Sequence, residues 1–144
     1  MRTVWASPSA AWRGDLRTGK GAISTESGAL DKLPFGFSTW FGDEKGTNPQ
    51  ELIAAAHASC FSMALSGELV KVGISDPTIA TTATVELKQV SGAFTITASH
   101  LDVTVEVKGA DKSKLEASAE TAKANCPVSK LLRAEVTMTA TYSI

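Results

Sequence analysis

Apolar and polar positions along the chain alternate in some stretches and recur every three or four residues in others. Val4 and Ala6, then Ala10 and Trp12, lead to a turn at Arg13-Gly14-Asp15, and Ala22-Ile23-Ser24-Thr25 reads as a returning strand. From Leu33 to Lys45 the alternation stops, and Pro34, Gly36, Gly42 and Gly46 predict a long loop, a length that in compact domains often marks function. A helix start follows. Asn48 is a good N-cap, Pro49 suits the first helical position and Glu51 stands where a capping box places its carboxylate. Leu52, Ile53, Ala56, Cys60, Met63, Ala64 and Leu69 keep helical spacing to a stop near Val72-Gly73. The run from Ala54 to Cys60 has little bulk, so close approach by neighbours is expected and the helix should be central and buried.

Residues 79–107 predict a hairpin. Ala83, Val85 and Leu87 alternate up to a turn at Ser91-Gly92, and Phe94, Ile96 and Ala98 alternate after it. The apolar parity then switches to Leu101, Val103, Val105 and Val107, which predicts a bulge near Ser99-His100. Asp111 to Ala124 reads as a second helix and Val128 to Leu132 as a short third one. Val136, Met138, Ala140 and Tyr142 close the chain with a strand. Hairpin-length connections in this order predict an α+β fold with antiparallel sheets around a buried helix, in a single domain over 1–144.

Composition narrows the function. The 144 residues suffice for one self-stabilised core, and 14 Lys+Arg against 15 Asp+Glu leave a net charge of −1. That balance offers no broad positive field, so neither nucleic acid nor a membrane surface is the expected partner. The N-terminal residues lack a signal-peptide apolar run and no unbroken apolar stretch reaches about 18 residues, which points to the cytoplasm.

The chain has two cysteines. In a reducing compartment such a pair is either inert packing or redox chemistry. Cys60 lies inside the small-residue helix, where a free cysteine can pack as a small hydrophobe. Cys126 precedes Pro127 and so caps the short helix, where N–H groups and the helix dipole favour thiolate. Residue pattern alone leaves both alternatives open. A zinc site would need His57, Cys60, His100 and Cys126 together, with no loop CxxC spacing, so no metal is expected. A Cys60–His57 hydrolase is weakly supported, since such nucleophiles sit at exposed helix starts; His57 reads better as a packed helix residue. Phe35, Phe37, Trp40 and Phe41 make the loop aromatic, and these rings either pack on their own domain or wall an apolar pocket or interface.

The segment Gly46-Thr47-Asn48-Pro49-Gln50-Glu51, continuing through His57-Ala58-Ser59-Cys60-Phe61-Ser62-Met63, resembles the signature of the OsmC/Ohr family (osmotically inducible protein C and organic hydroperoxide resistance proteins). Asn125-Cys126-Pro127-Val128-Ser129, Trp12-Arg13-Gly14-Asp15 and Ser24-Thr25-Glu26-Ser27-Gly28 match as well. Pro34-Phe35-Gly36-Phe37-Ser38-Thr39 and His57 favour the OsmC-like branch. The resemblance implies an intertwined homodimer and a cofactor-free thiol peroxidase acting on organic hydroperoxides. Carried over, Cys60 is the peroxidatic cysteine and Cys126 the resolving one, with an external dithiol of lipoyl or thioredoxin type as reductant. Phe35, Phe37, Trp40, Phe41 and Met63 become candidates for the substrate pocket.

The family places an arginine and a glutamate beside the peroxidatic thiol. Here Trp40 and Gln50 stand at those positions, with Glu51 next to the second and Arg17 as the candidate substitute cation. A buried guanidinium without its carboxylate is costly, so joint loss is coherent. The alternative is an OsmC-like protein that binds a small hydrophobic ligand with little or no catalysis.

Overall fold

The computed structural model describes Thr3, Trp5, Ala6 and residues 8–144; Val4, expected in the first strand, lies outside the described residues. The chain forms two compact units, Met1–Pro49 and Gln50–Ile144.

In the first unit, β1 (Ser9–Arg13), β2 (Lys20–Ser24) and β3 (Leu33–Phe35) form an antiparallel sheet in that order. The turn between β1 and β2 is organised by Asp15, whose carboxylate accepts the backbone N–H groups of Arg17 (2.9 Å) and Thr18 (2.8 Å). Trp12, Gly21 and Phe35 lie opposite one another across the three strands. A Cβ on Gly21 would stand 2.4 Å from the Phe35 ring, so this glycine makes room for Trp12 and Phe35 to meet at 5.4 Å between centroids. The stretch expected to be a loop contains β3 and a short helix, α1 (Phe37–Phe41). Thr39 stabilises that helix start: its hydroxyl oxygen accepts the Gly36 N–H at 2.8 Å and is 2.9 Å from the Thr47 carbonyl. Elements of three and five residues are too short to show a period, which is why the sequence reads as irregular there.

The second unit contains nearly all of α2 (Pro49–Lys71), followed by β4 (Thr78–Val90), β5 (Ala93–Glu106), α3 (Lys112–Asn125), α4 (Pro127–Leu131) and β6 (Glu135–Ser143). Gly73, with φ of 81°, ends the α2 segment in the left-handed conformation expected of it. The sheet has the order β4-β5-β6, but it is mixed: β5 pairs antiparallel with β4 and parallel with β6. The expectation of purely antiparallel sheet is corrected here. The chain reaches β6 through α3 and α4, and a helical crossover of that length returns the strand parallel. The bulge falls earlier than expected. Glu86 pairs with Ala98 and Leu87 with Ile96, leaving Thr97 as the extra residue. Its polar side chain hides the parity change, which surfaces in the sequence only at Leu101.

Phe61, Leu65 and Leu69 of α2 join Leu101, Val103 and Val105 of β5 and Leu115, Ala119 and Ala122 of α3 in one core cluster. Averaged along its length, α2 is apolar enough to cross a membrane, yet only one of its faces is buried. The inward stripe is His57, Phe61, Leu65 and Leu69, spaced by four. Ala55, Ala56 and Ser59 are exposed, as are Met63 (77%) and Val70 (63%). The helix is therefore not buried all round, and Met63 and Ala56 are not core; alanine and serine on every face erase the amphipathic signal that would have shown which side turns inward. Two polar ties fix the helix to the sheet. Ser62 Oγ lies 2.7 Å from Thr81 Oγ1 on β4, and His57 Nδ1 lies 2.7 Å from Ser99 Oγ on β5.

Burial pushes the pKa of His57 below the ordinary histidine value. Its protonation therefore favours the unfolded chain: the stability it secures is full above about pH 6.5 and is lost as pH falls through the depressed folded value. Denaturant midpoints compared at pH 7.5 and 5.0 should show lower stability at pH 5.0, with a smaller difference in His57→Gln.

Candidate functional site

The two cysteines lie 66 positions apart in the sequence and meet in the second unit. Cys60 is in the middle of α2 and half-buried; Cys126 is fully buried at the junction of α3 and α4, and both are free thiols. Cys126 closes α3, its N–H bonding the Ala122 carbonyl at 2.8 Å, and Pro127 opens α4 directly after it. The side chains of Cys60 and Cys126 are within hydrogen-bonding reach of each other.

The amides at the start of α4 were expected to serve the Cys126 thiol. Cys126 does occupy the N-cap, but its side chain makes no capping bond. Pro127 has no N–H, so the first available donor is Val128, and that donor bonds Cys60 instead. The amide therefore favours thiolate on the α2 cysteine, and two influences oppose it. Burial pushes the Cys60 thiol up and outweighs the Val128 bond, and the neighbouring Cys126 pushes it up further, leaving it above the ordinary thiol value.

His57 supplies no charge to this pair. It is fully buried and held neutral by desolvation, as the packed residue its sequence position suggested. Both ring nitrogens have partners: Nδ1 meets Ser99 Oγ at 2.7 Å and Nε2 meets Ser129 Oγ at 2.8 Å. Neither serine stood out in the sequence. Ser99 is a polar residue on the inward side of β5, and that break in the apolar face was its only signal. His100, the next residue, turns the other way and bonds Thr137 (2.6 Å) and Thr139 (3.1 Å) on β6. The four residues weighed as a zinc set are thus split between the two faces of the sheet. Among the described residues no group of three or more His, Cys, Asp or Glu side chains could hold a metal ion.

At the start of α2, Glu51 is exposed in the first turn. Gln50 is buried, and its Oε1 has no hydrogen-bond partner among the described residues. A buried amide oxygen without a donor is uncommon and costs of order 1–3 kcal/mol.

The aromatic candidates gather in the first unit. Phe37 and Phe41 are 4.8 Å apart and Trp40 stacks on Phe41 at 5.0 Å. Arg17 lies over the Phe37 ring, 5.6 Å from its centroid, a cation–π geometry. Trp12, Leu16, Phe35, Phe37, Trp40 and Pro49 line an apolar cavity of about 230 Å³. Phe35, Phe37 and Trp40 both pack against neighbouring rings and line this cavity, whereas Phe41 does not line it. Phe41 is on the outer side of the cluster, 48% exposed, and Met63 is on α2 in the other unit. Trp12, Leu16 and Pro49 were missed as lining. The signal for Trp12 was its place opposite Gly21 and Phe35, which depends on strand register.

Residues 42–141 match the sequence model of the family described as OsmC-like protein. A protein of Escherichia coli (strain K12) named peroxiredoxin OsmC is 50% identical over 136 residues, covering 94% of this chain and 95% of that one. An organic hydroperoxide resistance protein of Xanthomonas axonopodis pv. citri (strain 306) is 30% identical over 99 residues, 68% of each chain. The crystal structure of an organic hydroperoxide resistance protein from Elizabethkingia anophelis shares the fold, with a TM-score of 0.73 at 23% identity over 99% of both chains. With the matched segment spanning both cysteines and most of the chain, the protein belongs to the OsmC-like family.

Proposed function

We propose that the protein is a cytoplasmic thiol peroxidase that reduces organic hydroperoxides to alcohols. The observation that carries this reading is the meeting of Cys60 and Cys126, with the Val128 N–H directed at Cys60. A peroxidase-type function is also what the names of the relatives support. The Cys60 thiolate attacks the terminal peroxide oxygen, the O–O bond breaks, and the departing alkoxide takes a proton to become the alcohol. Cys60 is left as a sulfenic acid. The Cys126 sulfur attacks the Cys60 sulfur, water leaves, and a disulfide joins them. An external dithiol, of lipoyl or thioredoxin type, returns both to thiols. The chemistry requires no metal or cofactor.

On this reading the chain works as a homodimer, with the exposed side of α2 at Ala55, Ala56, Ser59, Met63 and Val70 covered by a second copy. Replacing Met63 with Glu should then shift the chain from dimer to monomer in sedimentation velocity; an unchanged distribution counts against that interface.

A second reading is favoured by one observation, the upward shift of the Cys60 thiol caused by burial and by the neighbouring Cys126. It makes the protein a binder of a small hydrophobic ligand with slow or no turnover. Stopped-flow reaction with cumene hydroperoxide separates the two. The peroxidase reading expects rapid loss of both thiols to one intramolecular disulfide, and expects Cys60→Ser to slow peroxide consumption at least a hundredfold. Oxidation of wild type at the rate of a free thiol favours the binder.

If Trp40 and Gln50 occupy the activating positions, the double change Trp40→Arg with Gln50→Glu should speed peroxide reaction at least fivefold, since each unit of lowered thiol pKa raises the thiolate fraction about tenfold. No gain removes that mapping.

A further inference from the structure

His57 and Cys60 are three residues apart on α2, so their side chains leave the same face one turn apart. Both reach the first turn of α4. Cys60 takes the Val128 N–H and meets Cys126, while His57 Nε2 lies 2.8 Å from Ser129 Oγ. The other side of the imidazole is fixed to the sheet through Ser99, 2.7 Å from Nδ1. A neutral imidazole offers one donor and one acceptor, and a serine hydroxyl can take either role, so both bonds form in either tautomer. One fully buried ring thus connects α2, β5 and α4.

The five residues of α4 include no buried side chain. The short helix follows directly from α3 at Cys126, a residue with extended ψ of 128° that serves as the end of one helix and the cap of the next. Cys126 is the junction itself, so the direction in which α4 leaves it sets the backbone torsion from which the sulfur-bearing side chain departs. Disulfide geometry is narrow: the two Cβ atoms must approach to about 3.5–4.5 Å with a near-perpendicular torsion. Small displacements of the α4 turn therefore reduce the effective concentration of one thiol at the other.

We infer that His57 and Ser129 are positioning residues that hold the first turn of α4 so that Cys126 can form its bond with Cys60. The inference rests on the reading of Cys60 and Cys126 as a redox pair. The imidazole acts through the hydroxyl of Ser129 on the placement of the helix.

The test is the equilibrium of the full-length protein with reduced and oxidised dithiothreitol. Protein dithiol and oxidised reagent exchange to protein disulfide and reduced reagent, with two electrons and two protons moving together. Ser129→Ala is expected to lower the equilibrium constant for the Cys60–Cys126 disulfide five- to tenfold, the upper value being about 30 mV in potential. Ser129→Thr, which keeps the hydroxyl, should return it to within twofold of wild type, and Ser129→Val, which matches threonine in shape, should not. Ser129 is only half-buried, so these changes are compatible with folding; should Ser129→Ala unfold, the Thr and Val pair carries the same comparison. A bond that merely stabilises the fold would lower the melting temperature and leave the constant where it was. A constant within twofold of wild type in Ser129→Ala or Ser129→Val overturns the positioning role while leaving the redox pair intact. Failure of the wild type to form any disulfide in the most oxidising buffer removes the redox pair itself, and the inference falls with it.

Discussion

The attachment of α4 to α2 is the constraint on which the site depends. A five-residue helix without buried side chains of its own carries the second cysteine's neighbourhood, and two side chains one turn apart on α2 reach it. Cys126 packs in the core at the end of α3 and Val128 packs against that core, while the His57–Ser129 bond ties the turn to α2. The rest of the unit supports the arrangement. The inward stripe of α2 seats the helix on the core, Ser62 and His57 tie it to two neighbouring strands, and the crossover through α3 returns β6 alongside β5.

The same attachment creates an electrostatic tension. Bringing Cys60 against Cys126 removes water and places one ionisable sulfur beside another, and both effects hold the proton on Cys60. The single amide of Val128 acts the other way and is outweighed. His57 is one turn away, but its burial keeps it neutral, so it orients without contributing charge. The geometry thus brings the two sulfurs together while opposing ionisation of Cys60. At the start of the same helix, the buried side-chain oxygen of Gln50 has no hydrogen-bond partner among the described residues.

Much of this was legible in the sequence where the physics is local. The Asn48-Pro49 start, the Ser91-Gly92 turn and the Cys126-Pro127 junction are each set by a few adjacent residues, and they lie where their chemistry puts them. What was not legible depends on pairing at a distance. The parallel addition of β6 is decided by the route of the connection, not by the alternation of Val136 and Met138. The orientation of α2 is hidden because its small residues give no contrast between faces. Ser99 and Ser129 are 42 and 72 positions from His57, so no window of sequence joins them to the ring they flank. The amides at the start of α4 were expected at Cys126, but the Val128 N–H meets Cys60, and the choice between the two sulfurs needed the packing of α4 on α2.

In the proposed reaction the peroxide oxygen is first received by Cys60 and the bond is then closed by Cys126. That order is tested most directly by treating the reduced protein with one equivalent of cumene hydroperoxide in the presence of dimedone, which traps sulfenic acid, and mapping the peptides by mass spectrometry. The account predicts a Cys60–Cys126 disulfide in the wild type and a dimedone adduct confined to Cys60 in Cys126→Ser. A dimedone adduct on Cys126 with Cys60 still a free thiol would contradict it.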